Sequence, residues 1–348
     1  MRPKPVKPPM EDGAVRVGIL AGLPALLRSL GADPAAIAAE AGFDLGMLDD
    51  AENTVSYAAR GRLLSQCVAR TGCRHLGLLL GMRGRLSWLG LVGFLVQHAP
   101  DVDTALNDLA RYTYLSVSGG VTGFAVRGNV AMLSFDVVLP RVDATDQVGD
   151  TAMATFFNLM RTICGPEWAP LEVRFSHGKP QNIEPYRSFF RAPLRFNADQ
   201  NAILFSTDWL RHPLHGADSD LRRLLQAQAD ELAAAYRDGF AEQVRRVLRT
   251  ALLTGHASED EVAAHFAMHG RSLRRRLKEC GTSFKQLVEQ SRYAIAQQLL
   301  EDSARDISEI AAALDYADAS AFGRAFKRWS GGATPSAWRA KRSAARSR

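Results

Sequence analysis

The C-terminal third of the sequence repeats one short plan, and this repeat limits the possible fold more than any other feature. Between residues 258 and 338, a capped apolar helix, a tight turn and a second helix with basic residues occur twice. This is the plan of a helix-turn-helix, whose second helix lies in the major groove of DNA. The sequence therefore predicts two DNA-reading units in one chain.

The first copy runs from Ser258 to Cys280. Ser258 is predicted to cap its first helix, with Glu261 reaching back to the cap. In the second helix Leu273 and Leu277 are one turn apart and face inward, so the basic residues around them must face outward. This outward face, which we predict to contact DNA, consists of Arg271, Ser272, Arg274, Arg275 and Lys278.

The second copy begins at Asp306, which can cap a helix together with Glu309 three residues further on. A turn at residues 315–317 leads into the second helix, from Asp318 to Trp329. Phe322, Phe326 and Trp329 are predicted to be buried. Small and basic residues are then left on or near the opposite face, which we predict to contact DNA, namely Ser320, Gly323, Arg324 and Lys327.

The stretch between the two reading helices predicts a long straight helix. From Phe284 to about Asp302 it contains no Pro or Gly, and its apolar residues recur at helical intervals. At ~1.5 Å per residue this helix is about 27 Å long. That length approaches the ~34 Å between successive major-groove openings on one side of B-DNA. One chain could therefore place both reading helices in adjacent major grooves of double-stranded DNA without a dimer.

Residues 240–340 resemble the AraC/XylS-type DNA-binding domain of bacterial transcription regulators. The resemblance rests on residues 281–284 after the first reading helix, on residues 292–300 of the connecting helix, on residues 307–329 of the second copy, and on residues 334–339. It implies base-edge contacts by the first reading helix through Arg271, Arg274 and Arg275. For the second helix it implies base-edge contacts by Ser320 and Arg324, with Lys327 nearer to phosphate.

The chain departs from this family pattern at three places. Asp315 stands in a turn where the family usually has Gly, and His269 stands where the helix cap is usually Ser, although His is a weaker cap. The connection at Gly331-Gly332 is one residue longer than usual. We therefore expect the second unit to dock on DNA less tightly than the first.

The charge distribution also favours a polyanionic partner for the C-terminal third. Residues 241–348 contain 19 Lys and Arg against 12 Asp and Glu, whereas the rest of the chain contains 24 against 25. The positive excess therefore lies in the part that carries the two copies. Residues 341–348 add a basic tail that is predicted to be disordered.

The N-terminal part predicts a mixture of helices and strands. From Val15 to about Arg83 the apolar residues recur at helical intervals. This pattern predicts three helices, the third of them at 57–70. A two-residue turn at Gly128-Asn129 separates two β-prone runs and predicts a hairpin. Further elements are predicted as helices at 101–115 and 146–164, a helical turn at 184–190, and short strands at 171–176 and 202–206.

Roughly residues 20–215 resemble the effector domain of the arabinose-operon regulator. The resemblance rests on residues 89–93, 175–177, 185–190, 193–196 and 201–205. This resemblance implies a domain that senses an unknown small-molecule effector. The predicted fold is an α+β N-terminal effector domain followed by an all-α DNA-binding domain with two helix-turn-helix units joined by a long helix. The predicted divisions are a disordered leader (1–14), the effector domain (15–216), a linker helix (217–238), the DNA-binding domain (239–340) and the basic tail (341–348).

Two features of the N-terminal part have two interpretations each. Trp88, Arg111, Tyr112 and Tyr114 combine flat apolar surface with hydrogen-bonding tips, as effector sites do, but they also fit partly exposed core positions. The predicted linker helix carries a near-heptad stripe that either pairs two subunits in a homodimer or packs against its own domain. The stripe consists of Leu221, Leu225, Gln228 and Leu232.

Several classes of function are disfavoured by what the sequence lacks. It contains no nucleophile elbow, no Walker-type phosphate loop and no H-E-x-x-H motif, which disfavours an enzyme and predicts no catalytic residues or cofactor. The four cysteines are far apart with no C-x-x-C pair, and His212 and His215 have no carboxylate cluster beside them, so no metal site is predicted. The longest uncharged apolar stretch, 86–96, is too short to span a membrane, which predicts a cytoplasmic protein. The alternative to a regulator that senses a small molecule is an N-terminal enzyme fused to a DNA-binding module.

Overall fold

The computed structural model describes residues 13–137, 139, 142–214, 217–235, 239–254, 257–266, 268–302 and 306–346. They form two compact units. The first unit contains the described residues up to 235 and those among 265–268, and the second contains those of 239–264 and 269–346. In the described part of the chain, no helix combines the length and the apolar character needed to cross a membrane.

The first part of unit 1 is mostly helical, but it also contains two short strands. The expectation of a purely helical pattern from Val15 to about Arg83 is wrong at these strands, which pair antiparallel with Ala14 opposite Ser56. Strands of three residues are too short to show an alternating pattern in the sequence. Ala14 belongs to the first of them, which also corrects the end of the predicted leader, while residues 1–12 lie outside the described residues. The elements are β1 (Ala14–Arg16), α1 (Leu23–Ser29), α2 (Pro34–Ala41), β2 (Thr54–Ser56), α3 (Tyr57–Thr71) and α4 (Leu76–Gly81), with short 3-10 helices at 17–20 and 45–49.

The second part of unit 1 forms a five-stranded sheet and the helices that cover it. The predicted hairpin is confirmed, with Arg127 opposite Val130 and Gly128 in the left-handed region at φ 60°. The predicted helices and strands are also found, and one further strand, β6, was not predicted. The elements are α5 (Leu91–Gln97), α6 (Val102–Tyr112), β3 (Gly120–Arg127), β4 (Val130–Val137), α7 (Thr145–Cys164), β5 (Glu172–Arg174), α8 (Glu184–Phe190), β6 (Leu194–Arg195), β7 (Ala202–Ser206) and α9 (Ser219–Ala235), with 3-10 helices at 86–89, 113–115 and 207–211.

The sheet has the strand order β3-β4-β7-β5-β6 and is antiparallel except for the β5-β6 pair. The long helix α7 lies at the centre of unit 1, and most of its side chains are buried. It approaches α4 closely because α4 presents glycines: a Cβ atom at Gly81 would lie 2.5 Å from the carbonyl oxygen of Thr151, and one at Gly77 would collide with the Gln147 backbone. The sheet and α4 therefore share one core built around α7.

A buried carboxylate connects α7 to α8 and to the loop after β5. Asp150 lies 2.9 Å from His177 Nε2 and accepts a 2.5 Å hydrogen bond from the Tyr186 hydroxyl. His177 Nδ1 lies 2.8 Å from the carbonyl oxygen of Gly178. Because both ring nitrogens face acceptors, the doubly protonated imidazolium satisfies all of these contacts. Burial of the ring alone would lower the pKa of His177, but the hydrogen bond and the negative charge of Asp150 raise it above its usual value.

Among the described residues of unit 2, all regular secondary-structure elements are helices. Its core packs α13 against its neighbours through Ile295, Ala296, Leu300 and the aromatic residues Phe322 and Phe326. The basic end of the chain is helical to Arg346, so the prediction of a disordered tail is wrong for residues 341–346. The helices are α10 (Gly239–Thr254), α11 (Glu259–His265), α12 (Gly270–Glu279), α13 (Phe284–Asp302), α14 (Ile307–Ala313), α15 (Ala319–Trp329) and α16 (Pro335–Arg346).

Candidate nucleic-acid interface

The first helix pair of unit 2 consists of α11 and α12, and a reciprocal cap fixes the start of α11. The Ser258 hydroxyl accepts from the backbone N–H of Glu261 at 3.3 Å, and the Glu261 carboxylate accepts from the backbone N–H of Ser258 at 3.0 Å. This is the capping box that the sequence predicts. Val262 and Ala263 on the following turn are fully buried. The cap and the two apolar residues together fix where α11 begins and which face it buries.

Helix α12 turns its basic face to solvent, as its pattern predicts. Leu273 and Leu277 are fully buried. Arg276 points another way from the rest of the basic run and lies 4.2 Å from the ring centroid of Phe240 in α10. On the outward face Ser272 is half-buried, and the exposed residues are Arg271, Arg274, Arg275 and Lys278.

The acidic neighbours of this basic face were not predicted from the sequence. Glu259 Oε1 lies 2.5 Å from Arg274 Nε, with the arginine side chain 71% exposed and the glutamate 22% exposed. A Cβ atom at Gly270 would lie 2.6 Å from Asp260 Oδ1, so a larger residue there would displace that carboxylate from its present position. His269 makes no side-chain cap, as its weak capping ability predicts. The Glu259 and Asp260 carboxylates instead place negative charge near the start of α12, where a helix favours it.

The second helix pair, α14 and α15, has complete caps on both helices. Asp306 and Glu309 form the predicted capping box of α14. Asp318 Oδ1 accepts a 2.6 Å hydrogen bond from the backbone N–H of Ala321 and so caps α15. In the turn between them Asp315 adopts φ 60°, the left-handed conformation that glycine usually provides. Asp315 therefore adopts the backbone conformation that glycine would give this turn. As a non-glycine residue it is strained there.

Helix α15 buries one face and exposes the other. Phe322 and Phe326 are fully buried, and Trp329 is half-buried. A Cβ atom at Gly323, which is half-buried, would meet nothing within 4 Å, so this position leaves open space on the helix surface. The exposed residues of the predicted DNA face are Ser320, Arg324 and Lys327.

Helix α13 supports the second reading helix, α15, from within unit 2. It is 19 residues long, which corresponds to about 28 Å. Arg328 of α15 donates to Glu289 of α13 at 3.1 Å. Arg292 of α13 lies 5.3 Å from the ring centroid of Tyr316, beside the turn before α15. These contacts fix α15 on α13, while the exposed cations of α15 stay available.

Two of the four candidate effector residues of unit 1, Arg111 and Tyr112, meet at helix α9. Arg111 and Tyr112 both reach Asp230 of α9, at 3.2 Å and 2.6 Å respectively, and the Tyr112 ring is fully buried. Burial, followed by the hydrogen bond to Asp230, raises the pKa of Tyr112. Trp88 lies in the 3-10 helix at 86–89 and Tyr114 in the one at 113–115. Arg111 and Tyr112 thus have an observed role in holding α9 on α6.

Helix α9 packs against its own unit through one face and exposes another. Ala229 is fully buried, Leu225 packs on the core, and Arg222 forms a 2.8 Å ion pair with Asp108 of α6. This supports the intradomain interpretation for part of the near-heptad stripe. On the other side Leu221 is 38% exposed and Leu224 is 70% exposed. The exposed pair leaves an apolar strip on the helix.

Comparisons with known proteins match two separate parts of the chain. The family model for the arabinose-binding domain of AraC transcription regulators matches residues 31–214, and a helix-turn-helix domain model matches residues 262–341. The chain belongs to the AraC family of transcription regulators. It is a DNA-binding transcription regulator, and the matched domains and relatives are regulators rather than enzymes.

Relatives of this AraC-family chain match most of its length. It is 27% identical over 335 residues to the HTH-type transcriptional regulator VirS of Mycobacterium tuberculosis, covering 95% of this chain and 98% of VirS. It is 25% identical over 287 residues to the ornithine utilization regulator of Pseudomonas aeruginosa, covering 82% and 84%. The crystal structure of the transcriptional regulator CdpR from P. aeruginosa aligns with a TM-score of 0.44 at 21% identity, covering 88% of this chain and 96% of CdpR.

Proposed function

We propose that the outward faces of α12 and α15 read base pairs in two successive openings of the major groove. The observation that carries this proposal is the exposure of six cations of the predicted DNA faces on these two helices, which precede and follow α13 in the chain. The cations are Arg271, Arg274, Arg275, Lys278, Arg324 and Lys327. The buried apolar faces of the same helices leave these side chains as the surface that meets DNA.

In this proposal the residues divide into base readers and phosphate contacts. Arg271, Arg274 and Arg275 are suited to guanine, because a guanidinium can donate to O6 and N7 of the same base. On α15 the reading residues are Ser320 and Arg324, next to the open surface at Gly323. Lys327 and Lys278 neutralise phosphates, and Ser272 lies beside the reading arginines. Phosphate contacts fix the position of the helices, and base contacts provide specificity.

The experiment that tests this assignment is binding-site selection with the parent and the Arg274→Ala variant. We expect Arg274→Ala to lose about 1–3 kcal/mol at the selected site and to relax the preference at one base pair. The matched control is Lys327→Ala, which should weaken all sequences alike and lower the slope of log affinity against log salt by about 1. Selection of the same motif by parent and Arg274→Ala would refute the assignment of Arg274 to a base.

We further propose that unit 1 binds a small molecule and that binding changes how unit 2 meets DNA. The match of residues 31–214 to a domain described as arabinose-binding supports a sensory role. Under this proposal residues 15–216 are the effector domain, 217–238 the linker helix and 239–340 the DNA-binding domain. Helix α9 is suited to transmit the change, since Arg111, Tyr112 and Arg222 tie it to unit 1 just before α10 begins. A ligand alters DNA affinity only if it binds the two conformations of the protein with different affinity.

A homodimer is a second part of the proposal. The apolar strip of Leu221 and Leu224 on α9 faces solvent in the single chain. A second copy of α9 packed antiparallel or parallel on this strip would cover both leucines. Dimerisation would then place two pairs of helix-turn-helix units on one operator.

A further inference from the structure

The C-terminal end of α7 borders a small cleft in unit 1. The cleft has a volume of about 280 Å³ and is lined by residues 162–165 at this helix end, by Gln97 at the end of α5, and by His212 and Leu214. A Cβ atom at Gly165 would meet nothing within 4 Å, so this side of the helix end is open. The volume lies just below the ~300–1,000 Å³ of typical small-molecule sites, which favours a small ligand.

The last carbonyl groups of α7 are left without partners by the sequence that follows the helix. In a continued helix the N–H of residue 166 would donate to the carbonyl of Thr162, but residue 166 is a proline and has no N–H. Gly165 adopts φ 88° and ψ 177° and donates its own N–H to the carbonyl of Arg161 at 3.1 Å. Among the described residues, no backbone or side-chain group donates to the carbonyls of residues 162–164.

These carbonyls give the cleft the character of an acceptor site. The C-terminal end of a helix carries a partial negative charge of roughly half an elementary charge. The Thr162 hydroxyl donates to the Asn158 carbonyl at 2.8 Å, so toward a ligand it can only accept. None of the described residues that line the cleft is Lys or Arg. Burial raises the pKa of the Cys164 thiol, which is therefore uncharged at neutral pH.

We propose that this cleft binds the protonated amino group of a small organic amine. An ammonium group has three N–H donors, and the helix end supplies three carbonyl oxygens together with a partial charge that favours a cation. Gln97 adds an amide oxygen at the edge of the cleft. The buried Ile163 and Leu214 side chains provide apolar surface for a short hydrocarbon part. A carboxylate or phosphate would face the same acceptors and be repelled by them.

The other walls of the cleft belong to segments that adjoin α9. Gln97 is two residues after Leu95, whose carbonyl accepts a 3.4 Å hydrogen bond from Arg222 of α9. Residues 212–214 form backbone hydrogen bonds to residues 100–102 and come just before α9 in the chain. The amine site therefore rests on the sensory role proposed for unit 1, and it names the class of molecule that unit 1 senses.

The test is thermal unfolding of the full-length protein at neutral pH in the chlorides of propylamine, ethanolamine or 1,4-diaminobutane. The reference salts are sodium chloride and tetramethylammonium chloride at equal ionic strength. Tetramethylammonium is a cation but has no N–H donor, so it separates hydrogen bonding from screening of charge. We expect at least one amine to raise the Tm by roughly 3–6 °C at tenfold excess over its Kd, and tetramethylammonium to leave it unchanged.

Two exposed residues of the cleft allow the site to be blocked or strengthened. Thr162→Lys places an ammonium group of the protein itself at the helix end and should abolish the response to amines. Gln97→Glu adds a carboxylate and should give a larger rise than the parent at the same amine concentration. The matched control is Thr145→Lys at the exposed first residue of the same helix, which should respond like the parent.

Each alternative outcome overturns the proposal. These outcomes are an equal rise in tetramethylammonium chloride, a response to amines that persists in Thr162→Lys, and no response of the parent to any of the three amines. If Thr162→Lys does not fold, a response of Gln97→Glu no larger than that of the parent has the same meaning.

DNA binding by the parent and by Thr162→Lys in propylamine chloride separates the amine site from the regulatory role. Thr162→Lys controls for direct competition between the amine and DNA. If the amine raises the Tm through the cleft but changes the DNA affinity of both proteins equally, the amine site stands and the regulatory role fails.

Discussion

At the scale of single residues, the contact between Glu259 and Arg274 determines how the first reading helix meets DNA. The glutamate is mostly buried at the start of α11, whereas the arginine is mostly exposed. Glu259 therefore acts as the fixed partner and restricts the rotamers of a side chain proposed to touch a base. An ion pair as exposed as this one contributes little to stability, at most about 1 kcal/mol. Its effect should appear in recognition rather than in folding.

Glu259→Ala should therefore reduce discrimination at the base pair read by Arg274, by up to about 1 kcal/mol. The loss should disappear in the Arg274→Ala background, since no arginine is then left to orient. Competition binding of the four proteins of this double-mutant cycle to the selected site and to its single-base variants measures both terms. An equal loss with and without Arg274 would contradict the positioning role.

The second residue-scale prediction concerns His177 and pH. Its pKa is raised in the folded state by Asp150, against the opposing effect of burial, with further contributions from Gly178 and Asp146. A raised folded pKa stabilises the protein at pH values below the unfolded value near 6.5, and this stability is lost as the pH rises through the folded pKa. Thermal unfolding from pH 5.5 to 8.5 should show this loss in the parent, and His177→Gln should flatten the curve. A parent and variant with parallel curves would contradict this assignment.

At the scale of secondary-structure elements, the sequence predicted best where the signals are local. The caps at Ser258, Asp306 and Asp318 and the apolar stripes between them lie within a few residues, and the structure confirms the helices that they begin. Helix α10 was not predicted as a separate element, because the sequence indicated only a boundary between the linker helix and the DNA-binding domain at residue 239. Helix α16 was mistaken in part for a disordered tail, because its last turns are rich in basic residues. Glu259 and Arg274 are 15 residues apart in the sequence, and their ion pair depends on how α11 and α12 are placed against each other. No local pattern specifies this placement.

Helix α9 is another element whose packing partner could not be decided from local sequence signals. Its spacing alone allowed both a dimer contact and intradomain packing, and the structure assigns Leu225 and Ala229 to packing within unit 1. If the exposed strip pairs two subunits, Leu224→Ser should shift the sedimentation coefficient from that of a dimer to that of a monomer. The control Arg223→Ser, at an exposed position on another side of α9, should leave it unchanged. An unchanged mass in Leu224→Ser removes the strip from any subunit interface.

At the scale of the whole molecule, the chain combines two compact units with different charge. Positive charge is concentrated in the helical unit that meets DNA, and the α+β unit is nearly neutral, as the sequence indicates. The fold class follows from periodicity together with the family resemblance. The burial of Arg60 on the core face of α3 was not predicted from the sequence, because a charged side chain usually lies at the protein surface.

The most direct test of the central claim is guanine N7 methylation protection of the selected site by the full-length protein and two variants. The parent should protect two major-groove segments centred about 10 base pairs apart, one helical turn of DNA. Arg274→Ala should lose protection in one segment, and Arg324→Ala in the other, because α12 and α15 lie in separate openings of the groove. A single protected segment in the parent, or loss of the same guanines in both variants, would contradict the account of one chain reading two successive major grooves.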